Sequence, residues 1–296
     1  MDSFNWLSPI GVFVLGAIIG SFLNVCIVRI PRGESLVRPR SHCVCGQLIA
    51  WYDNIPLFSW LLLGGRARCC GSRIGCRYFI VELLTAALFL ASCLSFAPAK
   101  AVSGMVLCTI LLGAAFIDWE HFIIPRVFSV GGMLAGVGLS IAFPSLHGVA
   151  DPIPIVASLQ SGGQAFLGVL IGTGLLFWIR EVASGLLGKE AMGWGDISFI
   201  GAIGSFCGWQ GAVFAIFGGA LIGTLGISLI LLVRFVYARF VQGEAGNSAN
   251  PYAWGQAVPF GPMLALAAGL YFFVLSEAVR AYCCDWLALF ADTIGR

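Results

Sequence analysis

Apolar residues run through this chain in long blocks, with most of the polar residues gathered between them. A helix needs about 20 apolar residues to cross a bilayer. Segments on that scale fall at 7–28, 79–97, 101–118, 123–143, 163–181, 195–210, 211–233 and 257–281. The pattern predicts an all-α polytopic membrane protein with about eight transmembrane helices. Only the polar run Gly208-Trp209-Gln210-Gly211 divides the sixth from the seventh. The first segment has no basic stretch ahead of it and no clear small-residue cleavage site, so it is expected to stay as a span.

Composition agrees with that class. The chain is 59% hydrophobic and 10% charged, with 39 glycines. Small residues let membrane helices approach closely. Charge placement sets the orientation. The loop 29–78 holds Arg29, Arg32, Arg38, Arg40, Arg66, Arg68, Arg73 and Arg77, half of the 16 Lys and Arg. Basic loops stay on the cytoplasmic side. Counting crossings from there also puts Arg126, Arg180, Lys189, Arg234 and Arg239 inside, and only Lys100, Arg280 and Arg296 outside. Both termini are then outside. The expected organisation is a first transmembrane helix (1–28), a cytoplasmic cysteine-containing loop domain (29–78), a membrane core (79–281) and a short extracytoplasmic tail (282–296).

Two aspartates fall on the cytoplasmic side of this scheme. Asp118 closes the third span and Asp196 opens the sixth, at the end of Gly193-Trp194-Gly195-Asp196. A carboxylate at the end of an apolar helix is costly. Taken alone, each is more often a cap or an interfacial anchor. Two on one face can form a site. Neighbouring carboxylates share a proton, so one can take a proton from water while the other polarises a carbonyl. The glycines around Asp196 allow close packing or an extended substrate strand. Glu120 and His121 lie near Asp118 and read as interfacial residues. His147, outside, has no assigned role. The polar stretch 242–256 is a candidate gate on the aspartate side.

The Gly193 to Asp196 element resembles the signature of GxGD membrane aspartyl proteases. Further elements resemble bacterial type IV prepilin peptidases: Gly20-Ser21-Phe22-Leu23-Asn24-Val25, Trp51-Tyr52-Asp53-Asn54-Ile55-Pro56, Arg77-Tyr78 with Val81-Glu82, Ile117-Asp118, and Pro259-Phe260-Gly261-Pro262. The resemblance implies an eight-helix fold in the bacterial inner membrane with its catalytic face cytoplasmic. It maps the catalytic pair onto Asp118 and Asp196, within a motif that includes Gly193 and Gly195. The implied substrates are prepilins or pseudopilins of a pilus or secretion system, cut after a Gly. It also implies methylation of the new N-terminal residue, usually Phe, with S-adenosylmethionine. Two positions depart from the family. Ser198 stands where a Lys is common, and Arg126 where Asp or Asn is common.

The loop carries Cys43, Cys45, Cys69, Cys70 and Cys76. Clustered cysteines in a reducing compartment read as metal ligands, and zinc takes four. The family's bifunctional members have two C-x-x-C-G knuckles here. This chain keeps Cys45-Gly46 and Cys70-Gly71, but His42 and Ala67 occupy the first-cysteine positions. Cys43, Cys45, Cys70 and Cys69 are the expected structural zinc ligands, with Cys76 or His42 as alternatives. A vicinal pair such as Cys69-Cys70 is a poor donor of both sulfurs to one ion. Glu34, Arg38, Asp53 and Asn54 are polar loop residues that could serve the methyl-donor site, though for any one of them a solvated face is the better account. Cys26, Cys93, Cys108 and Cys207 read as small packing residues.

Three rival readings predict different features. A cation-coupled transporter would carry ionisable groups at the bilayer midplane and inverted repeats. A membrane-anchored zinc adaptor would not need the aspartates. A peptidase without methyltransferase activity would keep the aspartates and dispense with the loop chemistry.

Overall fold

The computed structural model describes residues 8–38, 40–241 and 258–283. Regular structure among them is helical, apart from the isolated bridges His42–Leu48 and Arg66–Arg73. The α-helices are α1 (Pro9–Arg29), α2 (Phe58–Leu62), α3 (Cys76–Ser95), α4 (Pro98–His121), α5 (Arg126–Ala142), α6 (Pro154–Leu187), α7 (Trp194–Val241) and α8 (Gly261–Leu270). A π-helical turn, Tyr271–Leu275, continues α8. Local sequence sets several ends. Ser8 caps α1, accepting the Gly11 N–H at 3.1 Å, and Pro9 fills the first turn, where no amide partner is needed. Pro98 starts α4 in the same way, and Gly188 ends α6 in the left-handed conformation.

Among the described residues, six helices are long and apolar enough to cross a membrane, and α5 is a shorter apolar helix. The eighth crossing comes from a break inside α7. Gly208 has φ 71° and ψ −179°, a region open to glycine and strained for any side chain. The two limbs fold back on each other there. A Cβ at Gly168 of α6 would meet Gly204 and Gly208, and one at Gly172 would meet Ile200 and Ala212. The partners move outward from Gly208 in both directions, as they do in a hairpin. The sixth and seventh spans therefore divide at Gly208 itself.

The same close approaches give each helix its direction. Gly16 and Gly20 of α1 sit against Ala86 and Glu82 of α3, so the two are antiparallel. Gly132 and Gly136 of α5 sit against Ala202 and Ser205, so α5 and the first limb of α7 run parallel. Gly104 of α4 meets Phe272, and Asp118 meets Gly261, so α4 and α8 are antiparallel. The end of α4, the end of α6, and the starts of α5, α7 and α8 thus share one face. Buried side chains including Leu111, Ile117, Phe128, Phe199, Ile203, Phe206 and Leu264 fill the space between them.

Two expectations change. The predicted outer loop 144–162 is shorter, because α6 already begins at Pro154. Ser161 and Gly162 interrupt the apolar run yet lie inside the helix, Ser161 buried and Gly162 against Ile141. His147 is also more than an outer-loop residue. It is bonded to Ser140 Oγ at 3.0 Å and packed beside Gly208, and burial pushes its imidazole down to about 4. The stretch 242–256 and the tail from 284 lie outside the described residues.

Candidate active site and cysteine cluster

Apolar neighbours carry Asp118 into the core. Ala114 and Ile117 of α4 are 0% exposed, and Asp118 beside them is 6% exposed. Its Oδ2 accepts the Gly261 N–H at 2.9 Å. That amide opens α8 and has no partner within its helix, so the carboxylate caps a positive helix end. A Cβ at Gly261 would stand 2.8 Å from Oδ2 and 3.1 Å from Ile124 Cδ1.

Asp196 lies in the first turn of α7 beside the Gly193 backbone, where a Cβ would stand 3.6 Å from its Oδ2. Its Oδ1 is buried with no partner. The two aspartates converge through Ile124. A Cβ at Gly195 would stand 3.2 Å from Ile124 Cβ, and Gly261 packs on the same side chain from the other side. Asp196 also feels the Asp118 charge directly. The structure thus brings the two aspartates to either side of Ile124, with the glycines at 193, 195 and 261 beside them.

The loop ahead of Asp196 is held by Arg180, 6% exposed. Its Nε donates to the Met192 carbonyl at 2.9 Å, and its guanidinium pairs with Glu181, reaches Glu190 at 3.5 Å, and stacks 4.6 Å from the Trp194 ring. Sequence reading used Arg180 only as a topology marker. Nothing in its spacing shows that its side chain turns toward Met192. Ser198, standing where a Lys is common, bonds back to the Trp194 carbonyl at 3.2 Å. Glu120 is tied to Arg77 at 2.6 Å, which joins the end of α4 to the start of α3. His121 is exposed.

The cysteine loop folds into two short hairpins. The Gly46 N–H donates to the Cys43 carbonyl and the Gly71 N–H to the Ala67 carbonyl, both at 2.8 Å, with both glycines at positive φ. The Sγ atoms of Cys43, Cys45, Cys69 and Cys70 lie within 4.8 Å of one another. Cys43 is 3.4 Å from Cys70, and Cys45 is 3.5 Å from Cys69. Zinc–sulfur bonds of about 2.3 Å require sulfur–sulfur edges of about 3.8 Å, so the four thiols fit one tetrahedral ion. Although a vicinal pair is a poor donor of both sulfurs to one ion, the turn over residues 68–70 brings the sulfurs of Cys69 and Cys70 into the cluster. The alternatives stand apart. Cys76 begins α3, and His42 Nδ1 lies 3.2 Å from the Arg40 carbonyl oxygen. The Cys45 N–H and neighbouring thiols hold Cys43 down at about 6, while the shared hydrogen bond with Cys43 pushes Cys69 up to about 12.

A cavity of about 1490 Å³ separates this loop from α1 and α3. Glu34, Arg38, Asp53 and Asn54 all line it, as do Cys43 and Cys69. Asp53 is gripped by Arg68, with contacts of 2.8 and 3.0 Å.

Comparison with known proteins bears on this arrangement. Residues 14–96 match the bacterial peptidase A24 N-terminal domain, and residues 105–229 match the type IV leader peptidase family. A prepilin leader peptidase/N-methyltransferase of Xanthomonas campestris is 31% identical over 293 residues, covering 90% of this chain and 92% of that protein. The chain belongs to the type IV leader peptidase family. A family member of the same name from Myxococcus xanthus is 40% identical over 228 residues, 75% of this chain and 64% of that protein. One from Aeromonas hydrophila is 30% identical, covering 95% of this chain and 96% of its own length. No solved structure matches the chain. Family membership and the helical architecture make it an enzyme of the peptidase class and a multi-pass membrane protein.

Proposed function

We propose that this protein removes the leader peptide of type IV prepilins or pseudopilins at the cytoplasmic face of the bacterial inner membrane, using Asp118 and Asp196. The observation that carries the reading is the unpartnered, buried Oδ1 of Asp196 beside the capped carboxylate of Asp118. A buried polar atom without a partner needs one from a ligand or water. Here it lies where the two carboxylates meet, at the edge of the membrane core. One carboxylate, ionised, takes a proton from water. The other, protonated, donates to the scissile carbonyl oxygen; the proton taken from water then passes to the leaving amine, and the collapsing diol returns a hydroxyl proton to the second carboxylate. Asp118, held in place by the α8 N-terminal amide, is assigned the base role. Gly193 leaves room for a backbone strand beside Asp196, while Gly195 lets the turn pack on Ile124. The substrate is itself an apolar helix with a basic leader, and its cleavage point would meet the aspartates at the same depth.

In this reading the loop domain 29–78 holds one structural zinc through Cys43, Cys45, Cys69 and Cys70, and the core 79–281 cleaves without a metal. The loop cavity takes S-adenosylmethionine, which supplies the methyl group for the new N-terminus. Glu34, Arg38 and Asn54 are the polar groups offered to the donor. The names of the relatives and the size and lining of the cavity support methylation as the second activity.

The test is leader cleavage of a co-expressed prepilin by the wild type, Asp118→Asn and Asp196→Asn, at matched membrane levels. Mass spectrometry of the mature N-terminus reports methylation in the same sample. Wild-type cleavage with two inactive variants is expected. Cleavage by either variant near the wild-type rate removes that residue from the mechanism.

A further inference from the structure

The floor of the loop cavity holds polar side chains that the cleavage chemistry does not use. Asn24 of α1 is 2% exposed. Its Nδ2 donates to the Tyr78 carbonyl at 3.0 Å, and a carbonyl can only accept, so the amide orientation is fixed. Its Oδ1 is buried without a partner. Glu82 of α3, 8% exposed, accepts the Leu57 N–H at 2.7 Å. Leu57 sits at φ 64°, so this bond ties a strained turn of the loop to the membrane helices. Asn24, Ser21 and Glu82 all line the cavity.

An orphaned buried acceptor costs about 1–3 kcal/mol, and here the Glu82 carboxylate lines the same cavity. The complementary ligand carries positive charge and donates hydrogen bonds. A primary ammonium does both. The apolar side chains of Ile18, Phe22 and Val25 line the same cavity and suit a ligand whose ammonium is followed by an apolar group. Depth fits as well. Arg77 is bonded to Glu120, which puts the start of α3 level with the end of α4. At 1.5 Å per residue, Glu82 lies about 7.5 Å deeper than Arg77, and Asp118 about 3 Å deeper than Glu120. The two carboxylate sites differ in depth by about 5 Å, so a cleaved chain reaches the second by moving sideways.

We propose that Asn24 Oδ1 and the Glu82 carboxylate form the subsite that receives the free α-amine of the newly cleaved N-terminus, its first side chain lying against Ile18 and Phe22. The inference rests on the methyl-transfer reading above. The ammonium gives one proton to Glu82. The freed lone pair forms a bond to the sulfonium methyl carbon, and the carbon–sulfur bond breaks with its electron pair staying on sulfur. A neutral thioether leaves and the product is an N-methylammonium. The proton on Glu82 passes to water in the cavity.

The experiment uses full-length protein in detergent and a peptide with the mature substrate's N-terminal sequence, beginning with Phe. Its amine is either free or acetylated, and binding is read by fluorescence anisotropy. Wild type binds the free amine at least tenfold more tightly. Glu82→Gln and Asn24→Leu reduce that preference below twofold. A role in folding alone would not separate free from acetylated peptide. Equal binding by wild type, or a preference surviving in both Glu82→Gln and Asn24→Leu, overturns the proposal. Adding S-adenosylmethionine separates the two readings. Amine preference without methylation by wild type leaves the subsite standing and removes the methyl-transfer reading. Full methylation by Glu82→Gln does the reverse.

Discussion

Gly261→Ala adds one methyl group at the point where α8 meets Asp118. The new Cβ would stand 2.8 Å from Asp118 Oδ2. Ordinary carbon–oxygen contacts begin near 3.3 Å, so the carboxylate must retreat by about 0.5 Å. Its bond from the Gly261 N–H, now 2.9 Å, would lengthen beyond the useful range of about 3.2 Å. A hydrogen bond to a charged group contributes about 1.5–3 kcal/mol. Losing it corresponds to a rate decrease of about 10- to 100-fold, at about 1.4 kcal/mol per factor of ten. The assay is steady-state cleavage of a purified prepilin, with membrane levels matched. We expect kcat to fall by that factor, with KM changed less than threefold. Gly269→Ala is the matched control, because it lies on the same helix and a Cβ there meets nothing within 4 Å. If Gly261→Ala cleaves within twofold of wild type, the amide bond does not position Asp118.

Two further perturbations probe the parts around the site. Arg180→Met removes the bond to the Met192 carbonyl, the stacking on Trp194 and the ion pair with the exposed Glu181; we expect about 1–2 kcal/mol less stability and slower cleavage, read by thermal unfolding and the same assay. Arg180→Lys should not restore either, since a lysine lacks the planar fork, and full rescue would refute the positioning role. Purified protein should carry one zinc per chain by elemental analysis, lost in Cys45→Ser and Cys70→Ser. With Cys43 held at about 6 and Cys69 at about 12, zinc must displace the Cys69 proton, so its affinity should rise from pH 6 to pH 9 in chelator competition. A flat profile would contradict the four-cysteine ligand set.

Much of this architecture is legible in the chain because the bilayer imposes a simple rule. Apolar length gives the crossings, and arginine placement gives their sense. Together these put Asp118 and Asp196 on one face before any contact is known. The polar break at Gly208 was visible for the same reason. Contacts between distant segments were harder to read. Asn24 and Glu82 stand on different helices, and only the packing of Gly20 against Glu82 brings α1 and α3 close enough to leave Asn24 Oδ1 buried. Arg180 looks like an ordinary interfacial cation until the connection from Gly188 to Gly193 folds back over it. The cysteine cluster was half legible. Spacing named the residues, but the turn that turns Cys69 and Cys70 toward one centre depends on Gly71 at φ 68°.

The central claim is that Asp118 and Asp196 act as one unit, and single-turnover cleavage by Asp118→Asn, Asp196→Asn and the double variant tests it most directly. Residues that act together are not additive. Each single variant should therefore lose at least about a thousandfold, and the double variant should lose no more than either single one. Losses that multiply in the double variant, or a single variant that keeps a tenth of wild-type activity, would contradict the shared mechanism.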